Sequence, residues 1–103
     1  MRRLAMLAAG TAAIVVPGTS NAANGSQLWA RSGCGGCHTL AAANAHGTVG
    51  PNLDQAKPPL SLVIERVTHG AGAMPNFSTQ LSTKQIADVA AFVVKSTGGN
   101  PNG

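Results

Sequence analysis

The sequence predicts a small all-α fold of three to four short helices, on three observations. Two stretches, Leu60 to Thr68 and Thr83 to Ser96, space their apolar residues at the helical period. No stretch alternates apolar and polar residues as a half-buried strand does. The aromatic residues are only Trp29, Phe77 and Phe92, too few for a self-sufficient core in a chain of 103 residues. The helices are therefore expected to wrap around something besides their own side chains.

Residues 1–22 have the layout of a secretory signal peptide. Arg2 and Arg3 form the positive start, Leu4 to Val16 is apolar, and Pro17-Gly18 breaks that run. Small residues at Ser20 and Ala22 suit cleavage between Ala22 and Ala23. The alternative, a membrane anchor, needs about 20 apolar residues, more than this run supplies. Cleavage leaves one domain, 23–97, and a short C-terminal tail, 98–103, with no membrane span. Loss of Arg2 and Arg3 halves the formal charge of +4. The remaining cations are scattered, which excludes a nucleic-acid surface.

Asn24 to Ser32 reads as a first helix, capped by Asn24 or Ser26, with Leu28 and Trp29 as its main apolar residues. Trp29 is expected in the core, a place compatible with walling a cofactor crevice. The helix leads into Cys34-Gly35-Gly36-Cys37-His38. Two thiols at i and i+3 with a histidine at i+4 project to one side of a helical turn, where one porphyrin meets all three. This is the attachment signature of a c-type haem: the cysteines form thioethers with its vinyl groups and the histidine ligates iron. A thiol–disulfide pair or half a zinc site also uses two cysteines at this spacing, but neither requires the adjacent histidine. Both cysteines of the chain lie here, so no structural disulfide supplements the small core.

From Thr39 to Pro59 the periodicity fades and loop residues dominate. Irregular chain of this length needs an organiser, and a haem edge would serve. Within it, the rigid carbonyl of Pro51 is placed to accept the second ring N–H of a ligating His38. His46 reads as a solvated histidine. In the second helix, Leu60, Val63, Ile64 and Val67 recur on one face, and Gly70 suits a left-handed cap. The following loop carries Met74, the only methionine outside the signal peptide, ahead of Pro75. Its thioether is the expected sixth ligand of a low-spin haem, with His69 as the competitor. The last helix opens on a capping-box pattern, Ser82 and Gln85, and buries Ile86, Val89, Ala90 and Val93, with Phe92 at the edge. Gly98-Gly99 stops it.

These motifs, in this order, resemble the class I, His/Met-ligated monohaem cytochromes c of bacteria. The resemblance rests on Cys34 to His38, Gly50-Pro51-Asn52-Leu53, Gly72-Ala73-Met74-Pro75 and the C-terminal helix. It implies a small cytochrome c fold, three to four helices wrapped around one covalently attached haem, in which the first and last helices cross. Gly25, Trp29 and Phe92 look like the residues at that crossing. Gly25 and Trp29 stand one residue farther from the first cysteine than in mitochondrial relatives, which implies an extra residue near Gly33. The resemblance also implies Cys34 and Cys37 as the haem links, His38 and Met74 as axial iron ligands and Pro51 as the acceptor for His38. The function expected is a periplasmic or otherwise extracytoplasmic electron carrier, a monomer rather than an enzyme, meeting redox partner proteins by transient contact. The alternative is a haem c subunit of a larger oxidoreductase or respiratory complex. A haem-free thiol-redox or metal protein is the third possibility.

Overall fold

The computed structural model describes residues 20–101. The expected signal segment, as far as residue 19, and the last two residues of the tail lie outside the described residues. Four helices carry the fold: α1 Ala22–Ser32, α2 Leu53–Ala56, α3 Leu60–His69 and α4 Thr83–Ser96. A two-residue hairpin, β1 Thr39–Leu40 with β2 Ala45–His46, is antiparallel, with Thr39 opposite His46.

α1 begins two residues before the expected start. Asn21, and neither Asn24 nor Ser26, is its cap, the Asn21 side chain accepting from the Asn24 amide. The Ser26 hydroxyl donates back to the Ala23 carbonyl instead. α1 ends at Gly33, whose φ of 76° places it in the left-handed region. This residue turns the chain out of α1 before Cys34.

α1 crosses α4 at Gly25. A Cβ on Gly25 would strike the Asp88 backbone carbonyl and the Phe92 Cβ, so the two helices touch backbone to backbone. Beside the contact, Asp88 is fully buried among Ile86, Val89, Ala90, Ala91, Val93 and Val94. Its carboxylate accepts from the Asn21 amide at 2.8 Å, Asn24 Nδ2 at 3.1 Å and Lys84 Nζ at 2.5 Å. Burial pushes this carboxyl up, and the donors from Lys84, Asn24 and Asn21 together outweigh it, holding it below its ordinary value. The start of α1 is thus clamped to α4 by a buried anion. Trp29, one turn beyond Gly25, stands edge-on to Phe92 with centroids 6.0 Å apart.

α3 rests on α4 through Val63 and Val67, while Leu60 and Ile64 are only half-buried. The Phe77 amide donates to the Val67 carbonyl and its ring completes this side of the core. α4 has the capping box of Ser82 and Gln85. It closes in a Schellman motif, Gly98 at φ 90°, with Gly98 N–H on the Lys95 carbonyl and Gly99 N–H on the Val94 carbonyl.

The stretch from Thr39 to Pro59 is more ordered than its composition suggests. Besides the hairpin it holds a 3-10 turn at Ala41–Ala43 and the single-turn α2, capped by Asn52 and closed by Lys57 at φ 45°. The Asp54 carboxylate accepts from the Ala41 amide at 2.8 Å, binding α2 to the hairpin. Elements of two to four residues are too short to imprint a period on the sequence. Gly70 differs from expectation too: its φ of 75° is joined to a ψ of 176°, outside the left-handed helical region. Its role is close approach, since a Cβ there would lie 2.6 Å from the Met74 carbonyl oxygen.

Candidate functional site

Cys34, Cys37 and His38 share one tight turn. Cys34–Gly36 is 3-10, and the amides of Cys37 and His38 both donate to the Cys34 carbonyl, at 3.2 and 3.0 Å. The α-helical turn expected here is therefore wound tighter at its start, yet it keeps the three side chains together. Both thiols are free and half-buried. Burial pushes the Cys34 thiol up to about 11, opposed by its own backbone hydrogen bond and assisted by Cys37. The turn is open on its outer side, since a Cβ on Gly36 would meet nothing within 4 Å.

The segment 47–51 folds back against this turn and fixes His38. Gly47 N–H donates to the His38 carbonyl, Gly50 N–H to the Cys37 carbonyl at 2.7 Å, and Thr39 Oγ1 to the Gly47 carbonyl. His38 Nδ1 lies 2.8 Å from the Pro51 carbonyl oxygen. A carbonyl only accepts, so Nδ1 carries the proton and Nε2 keeps the ring's lone pair. The pairing of His38 with Pro51 is the one expected. Trp29 approaches the same ring, tilted at 46° with centroids 6.4 Å apart. It is buried and belongs to the core while standing against the site.

The Met74 loop is a tight turn, with Ala71 and Met74 exchanging backbone hydrogen bonds at 3.1 and 2.9 Å around Gly72 at φ 56°. Met74 is half-buried and packs against the core, as Cys34, Leu60, Ile64 and Phe92 also do. His69, the competing ligand, is exposed on the last turn of α3. His46 is exposed, its Nε2 3.3 Å from Asn44 Oδ1.

This donor set fits a haem c. Two unpaired thiols stand beside an imidazole whose tautomer leaves Nε2 free for a metal, and a soft, half-buried thioether comes from a separate, otherwise exposed loop. The zinc alternative lacks further ligands: among the described residues, no three His, Cys, Asp or Glu side chains gather as a metal site. A cavity of about 410 Å³ between α3 and the start of α4, lined by Ile64, Thr68, Leu81 and Ile86, takes in none of the four candidate residues. Its lining offers no thiol, imidazole or thioether, the donors that a haem c takes. Gly47 and Gly50, which in the sequence read only as loop residues and as part of a motif, are close-approach points: a Cβ would lie 2.5 Å from the Cys37 carbonyl carbon at Gly47 and 2.6 Å from His38 Cε1 at Gly50.

A family model described as "Cytochrome C oxidase, cbb3-type, subunit III" matches residues 20–93. Cytochrome c6 of Aphanizomenon flos-aquae is 52% identical over 33 residues, 32% of this chain and 38% of that protein. Cytochrome c6 of Limnospira maxima is 54% identical over 35 residues, 34% of this chain and 39% of that protein. The chain thus spans about two fifths of the length of these curated relatives. The crystal structure of the c-type cytochrome SorU from Sinorhizobium meliloti is similar throughout, with a TM-score of 0.69 and 40% identity, over 76% of this chain and 92% of that one.

Proposed function

Because the chain belongs to the cytochrome c family, as an electron-transfer protein with covalent haem c, we propose that it is an extracytoplasmic one-electron carrier whose iron is closed by His38 and Met74. The observation that carries this is the His38–Pro51 bond beside two free thiols, with a half-buried thioether supplied by a separate loop. Cys34 and Cys37 would hold the haem by thioether links. Pro51 keeps the Nδ1 proton of His38 and so makes Nε2 the ligating atom and a stronger donor. When bound, haem c would supply a one-electron Fe(II)/Fe(III) couple, and the soft Met74 sulfur would favour the ferrous state. With His38 and Met74 both holding the iron, no position would be left for a substrate, which is why carrier rather than catalyst is proposed.

The extracytoplasmic place is supported by the signal-like start of the sequence. Among the described residues no helix is long and apolar enough to cross a membrane. Partners are proposed to be redox proteins that dock briefly on a monomer, since a carrier must dissociate between donor and acceptor.

The family description, a subunit of an oxidase, favours a second reading in which the chain is a haem c subunit of a larger oxidoreductase. Retention in a complex through high-salt purification supports the subunit, and release supports the carrier. The primary test uses the chain exported alongside haem-attachment machinery. Denatured, reduced protein should carry the mass of one haem and a c-type alpha band, both lost in Cys34→Ser/Cys37→Ser. Wild-type protein without either would overturn the proposal.

A further inference from the structure

We propose that Gly50 is a positioning residue for His38: the missing side chain at this position sets how the imidazole stands, and through it the reduction potential. This rests on the proposed ligation of iron by His38. The ring occupies the space that a side chain on Gly50 would fill. A Cβ there would lie 2.6 Å from His38 Cε1, 2.9 Å from Nδ1 and 3.1 Å from Nε2, where carbon atoms settle at about 3.5–4.0 Å. Three ring atoms are struck at once, so rotating one torsion does not relieve the overlap.

Neither side can withdraw freely. Gly50 N–H is tied to the Cys37 carbonyl at 2.7 Å, and His38 Nδ1 to the carbonyl of Pro51, the next residue, at 2.8 Å. Ring and glycine are each bonded to the other's chain neighbour. The φ of Gly50 lies outside the left-handed region, so alanine is allowed by the backbone and excluded only by the ring. Gly36, in the same turn, makes the contrast: its φ is also ordinary, and a Cβ there meets nothing within 4 Å.

A ring displaced by about 1 Å to clear a Cβ stretches the bond to Pro51 beyond hydrogen-bond range. The imidazole then loses the acceptor that raises its basicity, donates less to ferric iron, and the potential rises. Holoproteins of wild type and Gly50→Ala test this by voltammetry and by NMR of the His38 Nδ1 proton. Gly50→Ala is expected to raise the potential and to speed exchange of that proton about tenfold, the equivalent of about 1.4 kcal/mol. Equal potentials and equal exchange in Gly50→Ala would overturn the proposal. If Gly50→Ala does not accumulate, wild-type holoprotein decides: a nuclear Overhauser contact between the Gly50 Hα and His38 Hε1 protons is required, and its absence overturns the proposal. Wild-type protein lacking covalent haem would instead remove the ligation on which the proposal rests.

Discussion

Asp88→Asn is the sharpest probe of the scaffold that holds the site. The carboxylate is fully buried and takes donors from Asn24 and Lys84, and from Asn21 in the uncleaved chain, since the expected cleavage after Ala22 removes Asn21. The amide keeps one acceptor oxygen, turns an N–H₂ toward donors and removes the charge that Lys84 meets. A hydrogen bond to a charged group contributes about 1.5–3 kcal/mol. The Lys84 end is partly open to water, so the net loss from the Asn24 and Lys84 bonds is about 2–3 kcal/mol. For a domain of this size that lowers the melting temperature by about 10–20 °C. The assay is thermal unfolding of the two holoproteins from pH 7 down to pH 2. The sign of the pH effect follows from the depressed carboxyl. Its contribution is complete above the ordinary value of 3.8 and is lost as pH falls through the lower folded-state value. The gap between wild type and variant should therefore be constant near neutrality and close in acid. Melting within about 2 °C of each other at pH 7, against the larger drop expected, would refute the clamp, as would a gap undiminished at pH 2.

Three further outcomes are expected. Gly25→Ala must separate α1 from α4, because its Cβ meets the Asp88 carbonyl and Phe92; a loss of about 1–3 kcal/mol should show in the denaturation midpoint. Met74→Ala should abolish the near-infrared sulfur-to-iron band of the ferric protein while leaving the haem covalently attached; a band that persists would remove Met74 from the iron. In haem-free chain the Cys34 thiol, raised to about 11 by burial, stays protonated at neutral pH. Its alkylation rate should keep rising up to about that pH, and a plateau reached near the ordinary thiol value of 9.0 would contradict the burial.

The long helices and the attachment turn were legible because each is written in local chemistry. Ile86, Val89, Ala90 and Val93 state α4 by period, and Ser82 with Gln85 states its start. Cys34 to His38 carries its ligand geometry within five residues. Asp88 was not legible as a buried group. In sequence it is an ordinary acid one turn from Lys84, and only the approach of Asn21 and Asn24 from the other end of the chain makes its burial tolerable. The same limit hid the true start of α1, since Asn21 is held by its cap to Asn24 and also by α4.

What the sequence by itself determined is therefore the class of the protein, an all-α domain with a haem c, and the donors proposed for it: two thiols, an imidazole and a thioether in the order that such a haem requires. What only the tertiary structure decided is how those donors are held. The tautomer of His38 depends on Pro51, and its orientation on Gly50, through contacts that spacing suggests but cannot measure. The register of α1 on α4 depends on a glycine and a buried carboxylate from opposite ends of the chain. Local propensity reaches three or four residues along a helix. A backbone-to-backbone crossing and a ring packed on a glycine are set by distances that arise only when the chain closes on itself.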